Sequence, residues 1–498
     1  MYKKISNKLK TNPHLLVLTL ILIIALFFRT YKLVDWFEFA HDGDLYSWIV
    51  KDIVVDKHLR LIGQETSAPG IFIGPLFYYT LIPFFLLFDM DPIGAFIPIT
   101  AVGIITVASY YWVFSKLFNK SVGLIAAFLY ATFLSLVSFD RWIVPSTLTN
   151  IWLIWYLYTV VMLTRGRFKV LPLLGFLIGL IWHIHIALAP ALVVIPLALF
   201  LSKKLPTFKQ VFLSFFALLI PSIPLIAFET RHGFSQTLSF IHNLTISHGG
   251  EKGLEKLNII ITKFSQEIDR LFFYPQGLQN NQVFFVAIIL LCAIFLMKQK
   301  LLQKKEVIIF YSWIVGVFLF YTFTSVVVSE YYFANIEIIF LTIVSLLLYL
   351  FYKSSSLGRC LTLSLLALIL VTNIYYLTNL EPYKKGYNER KSVADFITED
   401  SRKKNFPCVS ISYITSPGEN VGFRYFFWLN NLKTTKVQAD SVTYSIVNPP
   451  EYAAGPEEKY FRQIKVIVPD KIPTVDRINK SCTGQNTNLT DSMFGFTK

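Results

Sequence analysis

Charge is scarce in this chain. Of its 498 residues only 15% are Asp, Glu, Lys or Arg, where soluble domains carry about 25%. That shortage argues against an ordinary water-soluble fold. Cysteine is scarce too, with four in the whole chain, which excludes a disulfide-built scaffold. No internal repeat appears, and there is no Walker motif, GxGxxG, HExxH or CxxC pair. The common nucleotide and zinc signatures are therefore missing.

Apolar residues are abundant. They make up 54% of the chain, aromatics alone 16%, and the mean hydropathy is +0.54. Runs of membrane-crossing length fall near 13–28, 93–114, 121–138, 147–163, 170–184, 187–201, 210–228, 283–297, 306–328, 333–352 and 360–379. The expected fold is an all-α polytopic membrane protein with about 11 spanning helices, juxtamembrane helices on the outer face and a small C-terminal α/β domain. The net charge of +15 would suggest nucleic acid in a soluble protein. Here Lys and Arg sit in short gaps between apolar runs, so the bilayer is the expected partner and nucleic acid is not.

The basic start followed by Leu15–Phe28 lacks a small-x-small cleavage site and reads as a retained first helix with a cytoplasmic N-terminus. Residues 70–88 are apolar, but Pro75 and Pro83 interrupt them. If they crossed, the clusters Lys116/Lys120, Arg165/Arg167/Lys169, Lys203/Lys204/Lys209, Lys298/Lys300/Lys304/Lys305 and Lys353/Arg359 would all lie outside. If they stay at the outer face, every cluster is cytoplasmic, as the positive-inside bias requires. The expected location is thus the cell membrane, multi-pass, with an extracytoplasmic C-terminus. Residues 1–380 form the membrane domain, with an outer-face segment 29–92 and an outer loop 229–282, and 381–498 form the C-terminal domain. In the latter, 391–400 reads as a helix striped by Val393, Phe396 and Ile397. "PCVSISYI", "YSIVNPP" and "QIKVIVPD" read as strands, and the chain end reads as disordered. Cys408 and Cys482 both fall in this domain. An extracytoplasmic location would let them pair, though spacing alone leaves the question open.

The chemistry concentrates at the outer ends of the helices. "FEFAHDGDLYSWIVKD" places Asp42 and Asp44 just beyond the first helix. A carboxylate there can take a proton from a hydroxyl or hold a cation. The plainer reading is a solvated turn around Gly43. The apolar positions Leu45, Trp48, Ile49 and Ile53 favour an amphipathic helix lying at the membrane surface. His183 and His185 suggest a metal only weakly, because no carboxylate stands near them in sequence; a polar contact to phosphate or acceptor, or a structural role, competes. Glu330 and Tyr331 open "EYYF", which reads either as a sugar-stacking or lipid-groove wall or as an interfacial aromatic belt.

The first helix, the acidic outer loop and "RLIGQETSAPGIFIGPLFYY" together resemble the GT-C polytopic glycosyltransferases, in the branch of protein-mannosyltransferases and aminoarabinose transferases. The motif elements are Asp42 and Asp44, Gly74-Pro75-Leu76-Phe77-Tyr78-Tyr79, and Asp140-Arg141-Trp142. The resemblance covers about 1–350. It departs where Gly43 separates two acids usually adjacent, and where Ser146 stands in place of an acid after the loop arginine. It implies inverting transfer of a sugar from a polyprenyl-phosphate donor to an acceptor hydroxyl of protein, glycan or lipid. Asp42 would be the base, with Asp44 as a second catalytic carboxylate. Arg141, then Arg60, would hold the donor phosphate, and Glu65, Tyr78, Tyr79, His183, His185, Glu330 and Tyr331 would contact the groove or acceptor. No cofactor is called for, and a divalent cation stays open. The competing function is a transporter or flippase of lipid-linked saccharide, for which mid-membrane charges and internal symmetry would be expected.

Overall fold

A computed structural model describes residues 12–66, 69–245, 253–278, 280–324 and 327–488. Of the end expected to be disordered, 483–498, residues from 489 lie outside the described residues, as do 246–252 of the long outer loop; 483–488 are instead ordered against the sheet, with Thr487 N donating to Thr434 O at 2.9 Å and Asn488 buried. Among those described, seven helices are long and apolar enough to cross a bilayer: Pro13–Thr30, Pro92–Leu117, Pro145–Thr164, Phe208–Arg231, Lys304–Phe323, Tyr331–Ser354 and Ser356–Asn379. Lys120–Thr132 and Leu134–Asp140 pass the same test together and are bent by 67° at the break between them, the geometry of a broken span or a re-entrant loop. The shorter apolar helices Phe168–Ile184, Ile186–Ser202 and Gln282–Lys298 lie where three more of the expected eleven spans were placed. Leu76–Leu87 has 12 residues and Pro83 inside it. At about 1.5 Å per residue it is too short for a hydrocarbon core of about 30 Å, which accords with a juxtamembrane helix.

The chain divides into two compact units. One comprises Met1–Tyr31, Glu65–Pro75 and Ile99–Leu380; the other comprises Lys32–Gln64, Leu76–Pro98 and Glu381–Lys498. The first unit is the helical bundle. Its interior is tightly filled by aromatic rings, with Tyr110 stacked on Tyr130 at 4.4 Å and Trp152 on Tyr156 at 4.5 Å. Phe208–Arg231 and Ser356–Asn379 expose Phe212, Phe215, Ile220, Leu361, Leu368 and Val371, the apolar faces that a lipid environment covers.

The bend at Phe133 has an identifiable cause. Breaking the helix there strands the last carbonyls of Lys120–Thr132. Arg29, at the end of the first helix, donates to two of them, Ala131 O at 3.2 Å and Tyr130 O at 3.4 Å. Its other donors reach Asp140 Oδ2 at 2.9 and 2.6 Å. The Tyr130 hydroxyl donates to Asp140 Oδ1 at 2.7 Å. Arg29 and Asp140 are 0% and 2% exposed, so protein groups rather than water compensate the charges; Arg29 also donates to Ala25 O at 3.4 Å and Asn150 hydrogen-bonds Asp140.

The second unit contains a five-stranded sheet: β1 (Val409–Thr415), β2 (Thr434–Thr435), β3 (Thr443–Asn448), β4 (Glu458–Phe461) and β5 (Ile464–Ile467), in the order β2-β1-β3-β5-β4. β1 runs parallel to β2 and β3, and β5 is antiparallel to β3 and β4. β1, β3 and β5 are the expected strands; β2 and β4 are too short and polar to read. Helix Tyr387–Lys403 buries Val393 and Ile397 as its stripe requires. Cys408 and Cys482 are joined in a disulfide, their Cα atoms 5.7 Å apart.

Removing one charge of the buried pair strands the other. Asp140→Asn is expected to lower stability by about 3–5 kcal/mol, and the double variant Arg29→Met/Asp140→Leu to recover part of that loss. Thermal unfolding in detergent checks both. A double variant less stable than Asp140→Asn would contradict the pairing argument.

Candidate functional site

In the second unit "HDGD" is not a free turn. Helix His41–Val54 begins at His41, and Asp42 and Asp44 occupy its first turn, where the positive helix end favours carboxylates. Two residues apart on a helix, they diverge by about 200°. The side chain of Asp42 is 37% exposed, while Asp44 is 2% exposed and lies within the electrostatic reach of Arg390. Gly43 between them is required by packing, since a Cβ there would lie 2.9 Å from the Phe39 ring. The apolar face of this helix differs from expectation. Leu45, Trp48 and Ile49 are buried, and Trp48 packs edge-on against Tyr425 at 5.4 Å. Protein from the C-terminal region, rather than lipid, covers it, because that region shares the unit.

The carboxylate that accompanies Asp42 is Glu38, which the sequence reading did not select although it stands in the same motif. Burial pushes the Glu38 carboxyl above its usual range. Asp42 and Glu419 add to the rise, and Arg390 and Lys385 oppose it. Arg390 is itself buried. It donates to Lys385 O at 3.0 Å and to Glu419 Oε2 at 3.1 Å, and its Nη1 also reaches Val421 O. No local pattern pointed to Arg390 or Glu419.

Arg60 is engaged by a carboxylate, its Nε 2.6 Å from Asp52 Oδ2, with His58 at 3.0 Å from the same oxygen. Tyr79 donates to Arg60 O at 2.9 Å, and Tyr78 to Gln64 Oε1 at 3.1 Å. Both tyrosines thus hold the 60–64 strand of chain in place. Among the described residues no group of three or more His, Cys, Asp or Glu is placed to hold a metal ion.

The remaining candidates belong to the first unit. Arg141 follows Asp140 directly and donates to Tyr31 O at 2.9 Å. Burial, then repulsion from Arg29, lowers its guanidinium to about 10, so it stays charged at neutral pH. Glu65 accepts from Gly70 N at 2.6 Å and closes its own loop. His183 meets Pro221 O through Nε2 at 2.6 Å, and a Cβ on Gly74 would lie 2.1 Å from its Nδ1. This histidine clasps the "IGP" segment and does so as a packing element. His185 accepts from Ala187 N at 3.1 Å through Nδ1. Its ring lies 5.8 Å from Tyr331 and 5.4 Å from Tyr332, so the sequence-distant "WHIHIA" and "EYYF" do meet. Glu330 opens the turn Glu330–Phe333; its side chain lies outside those described.

Burial among these rings lowers the His185 imidazole from 6.5 to about 4. The folded state then binds fewer protons than the unfolded one between those values. The contribution is fully present above pH 6.5 and is lost as pH falls through about 4. His185→Gln should therefore flatten the fall in detergent melting temperature across this window, and an unchanged slope would count against a buried neutral imidazole.

No family model matches the sequence, and no curated protein matches it. In structure the chain is similar to ArnT from Cupriavidus metallidurans bound to undecaprenyl phosphate, with a TM-score of 0.55 and 10% identity over 91% of this chain and 97% of that one. The apo state of the same protein gives a TM-score of 0.55 and 12% identity over the same shares. The Archaeoglobus fulgidus oligosaccharyltransferase tethered with an acceptor peptide gives 0.48 and 14% identity over 88% and 69%, a likeness on which nothing is built. The resemblance read from the sequence is met at the level of architecture: the chain has the ArnT-like GT-C fold, a polytopic helical membrane protein with a small C-terminal sheet.

Proposed function

We propose that the protein is a glycosyltransferase that moves a sugar from a polyprenyl-phosphate carrier to an acceptor hydroxyl on the extracytoplasmic side, with inversion. The observation that carries the reading is Asp42, an accessible carboxylate on the first turn of a helix whose other face is buried, in a chain with the ArnT-like fold. Asp42 accepts the hydroxyl proton as the acceptor oxygen bonds to the anomeric carbon. The bond from that carbon to the phosphate oxygen breaks, and the polyprenyl phosphate leaves as an anion. A leaving group of that kind calls for a cation and not an acid. Arg141 first and Arg60 second are the cations that the resemblance assigns to this role.

Charge placement weighs against a transporter. Among the described spans, Asp, Glu, Lys and Arg lie within about two turns of a helix end, as Arg29, Asp140, Arg165, Glu306 and Glu337 do. Transport pathways place ionisable groups deeper.

Asp42→Asn is expected to slow transfer of labelled sugar from synthetic polyprenyl phosphate by about 10²–10⁴-fold with donor binding intact. Arg141→Ala should weaken donor binding and slow transfer together. Asp44→Asn should lower stability more than turnover, since Asp44 is buried within electrostatic reach of Arg390 and diverges from Asp42 on the helix. Retention of more than about a third of activity by Asp42→Asn, far more than loss of a general base allows, would remove Asp42 from the role.

Orientation is tested separately. A single cysteine at Ser121 should resist a membrane-impermeant reagent applied from outside, and one at Met90 should react. Outside labelling of position 121 would overturn the extracytoplasmic assignment.

A further inference from the structure

The second unit holds a half-open cleft of about 290 Å³ that the catalytic reading does not use. It is lined by Lys385, Ser416, Glu419, Asn448, Glu451 and Gln463, with two adjoining prolines. Its place in the sheet is specific. From β1 the chain crosses to β2 on one side and then returns to β3 on the other. The carboxyl ends of β1 and β3 are therefore a topological switch point, where open α/β sheets leave a crevice for ligands. Ser416 directly follows β1, and Asn448 ends β3. Ser416 N donates to Asn448 O at 3.0 Å, which fixes the floor of the cleft.

We propose that this cleft binds the acceptor and that the acceptor is an uncharged saccharide. The naming of the ligand as acceptor rests on the transferase reading; saccharide binding does not. Three features support the choice. First, the lining mixes donors and acceptors within a small space: the Asn448 and Gln463 amides, the Ser416 hydroxyl, the Lys385 ammonium and two carboxylates. Sugar hydroxyls, each donor and acceptor, suit such a set. Asn448 is buried and held by a bond from Nδ2 to Glu419 Oε2 at 3.1 Å, so its orientation is set before any ligand arrives. Pro449, Pro450 and the exposed Tyr452, whose hydroxyl is 3.1 Å from Ser416 Oγ, supply the flat apolar surfaces on which a sugar ring can lie.

Second, the charge balance disfavours an anion. Lys385 is paired with Glu419, and Glu451 adds a further carboxylate to the rim. Arg390 also pairs with Glu419, so a phosphate or uronate would have to draw cations already committed to that carboxylate, beside the Glu451 carboxylate on the rim. Third, the position disfavours a peptide. Extended peptides add to a sheet edge, yet β1 and β3 are interior strands with neighbours on both sides. The volume also fits, since it lies near the lower end of ligand pockets, roughly 300 Å³, and leaves room for one ring with the remainder of a chain outside. Lys385 and Glu419 act electrostatically on Glu38, which is also within reach of Asp42. The cleft and the proposed base thus share one electrostatic neighbourhood inside one unit.

The test uses the full-length protein in detergent, fluorescently labelled and without any sugar donor, on immobilised short hexose and pentose oligosaccharides. The expected result is retention on at least one of them, weakened about tenfold by Asn448→Ala and by Gln463→Ala, the worth of one or two lost hydrogen bonds. Gln463 is exposed, so its variant keeps the test valid if loss of Asn448 unfolds the sheet. Asp42→Asn should bind as the wild type does. If Asp42→Asn proved fully active in transfer while retention held, the catalytic reading would fail and this one would stand. No retention, retention indifferent to both cleft variants, or preference for immobilised Ser/Thr-rich peptides or phosphorylated sugars would overturn it.

Discussion

The arrangement of the bundle near its proposed outer end depends on the buried pair Arg29–Asp140. Two charges removed from water cost several kcal/mol each, and their attraction offsets this only when every remaining donor and lone pair is occupied. Here the guanidinium is divided between a carboxylate and two carbonyls that a broken helix leaves stranded, and the carboxylate also accepts from Tyr130. The ion pair and the helix break therefore stabilise each other. Without the bend the carbonyls would be satisfied within the helix. Without Arg29 the bend would leave them bare in an apolar interior. The next residue, Arg141, turns to a different group and donates to Tyr31 O.

A comparable division of labour governs the acidic segment. Adjacent acids on a helix would splay by about 100°, and the Gly43 spacing increases this to about 200°. That is why Asp44 ends up buried and Asp42 accessible. The glycine is there because Phe39 lies against it, and Phe39 in turn packs on Phe426 at 4.7 Å. Aromatic packing from a region nearly 400 positions away thus decides which of two neighbouring aspartates meets solvent.

This also explains what could and could not be read in the sequence. Spans such as Ser356–Asn379 are set by local composition, and hydropathy found them. The interruption of 70–88 by Pro75 and Pro83 combined with the lysine distribution to separate a juxtamembrane helix from the spans. Strands β1, β3 and β5 carry enough β-branched and aromatic residues to stand out, whereas β2, with two residues, is defined only by its neighbour. At the candidate site Asp42 was legible because a motif surrounds it. The partners were not. Arg29 finds Asp140 at a separation of 111, and Glu38 responds to Arg390 and Glu419 from the C-terminal region. Periodicity carries no information about such pairings. For His183 the sequence left a polar contact and a structural role side by side; its ring is bonded to Pro221 O and lies against Gly74.

The C-terminal residues consequently belong with the acidic helix in more than proximity of chain. Tyr387 N donates to Phe37 O at 2.8 Å, the Tyr387 hydroxyl to Asp91 at 2.7 Å, and Lys391 pairs with Asp91 at 2.5 Å. These bonds tie the sheet's leading helix to the segments on both sides of Leu76–Leu87. A substitution at Arg390 or Glu419 can therefore alter the field at Glu38, which stands four residues before Asp42.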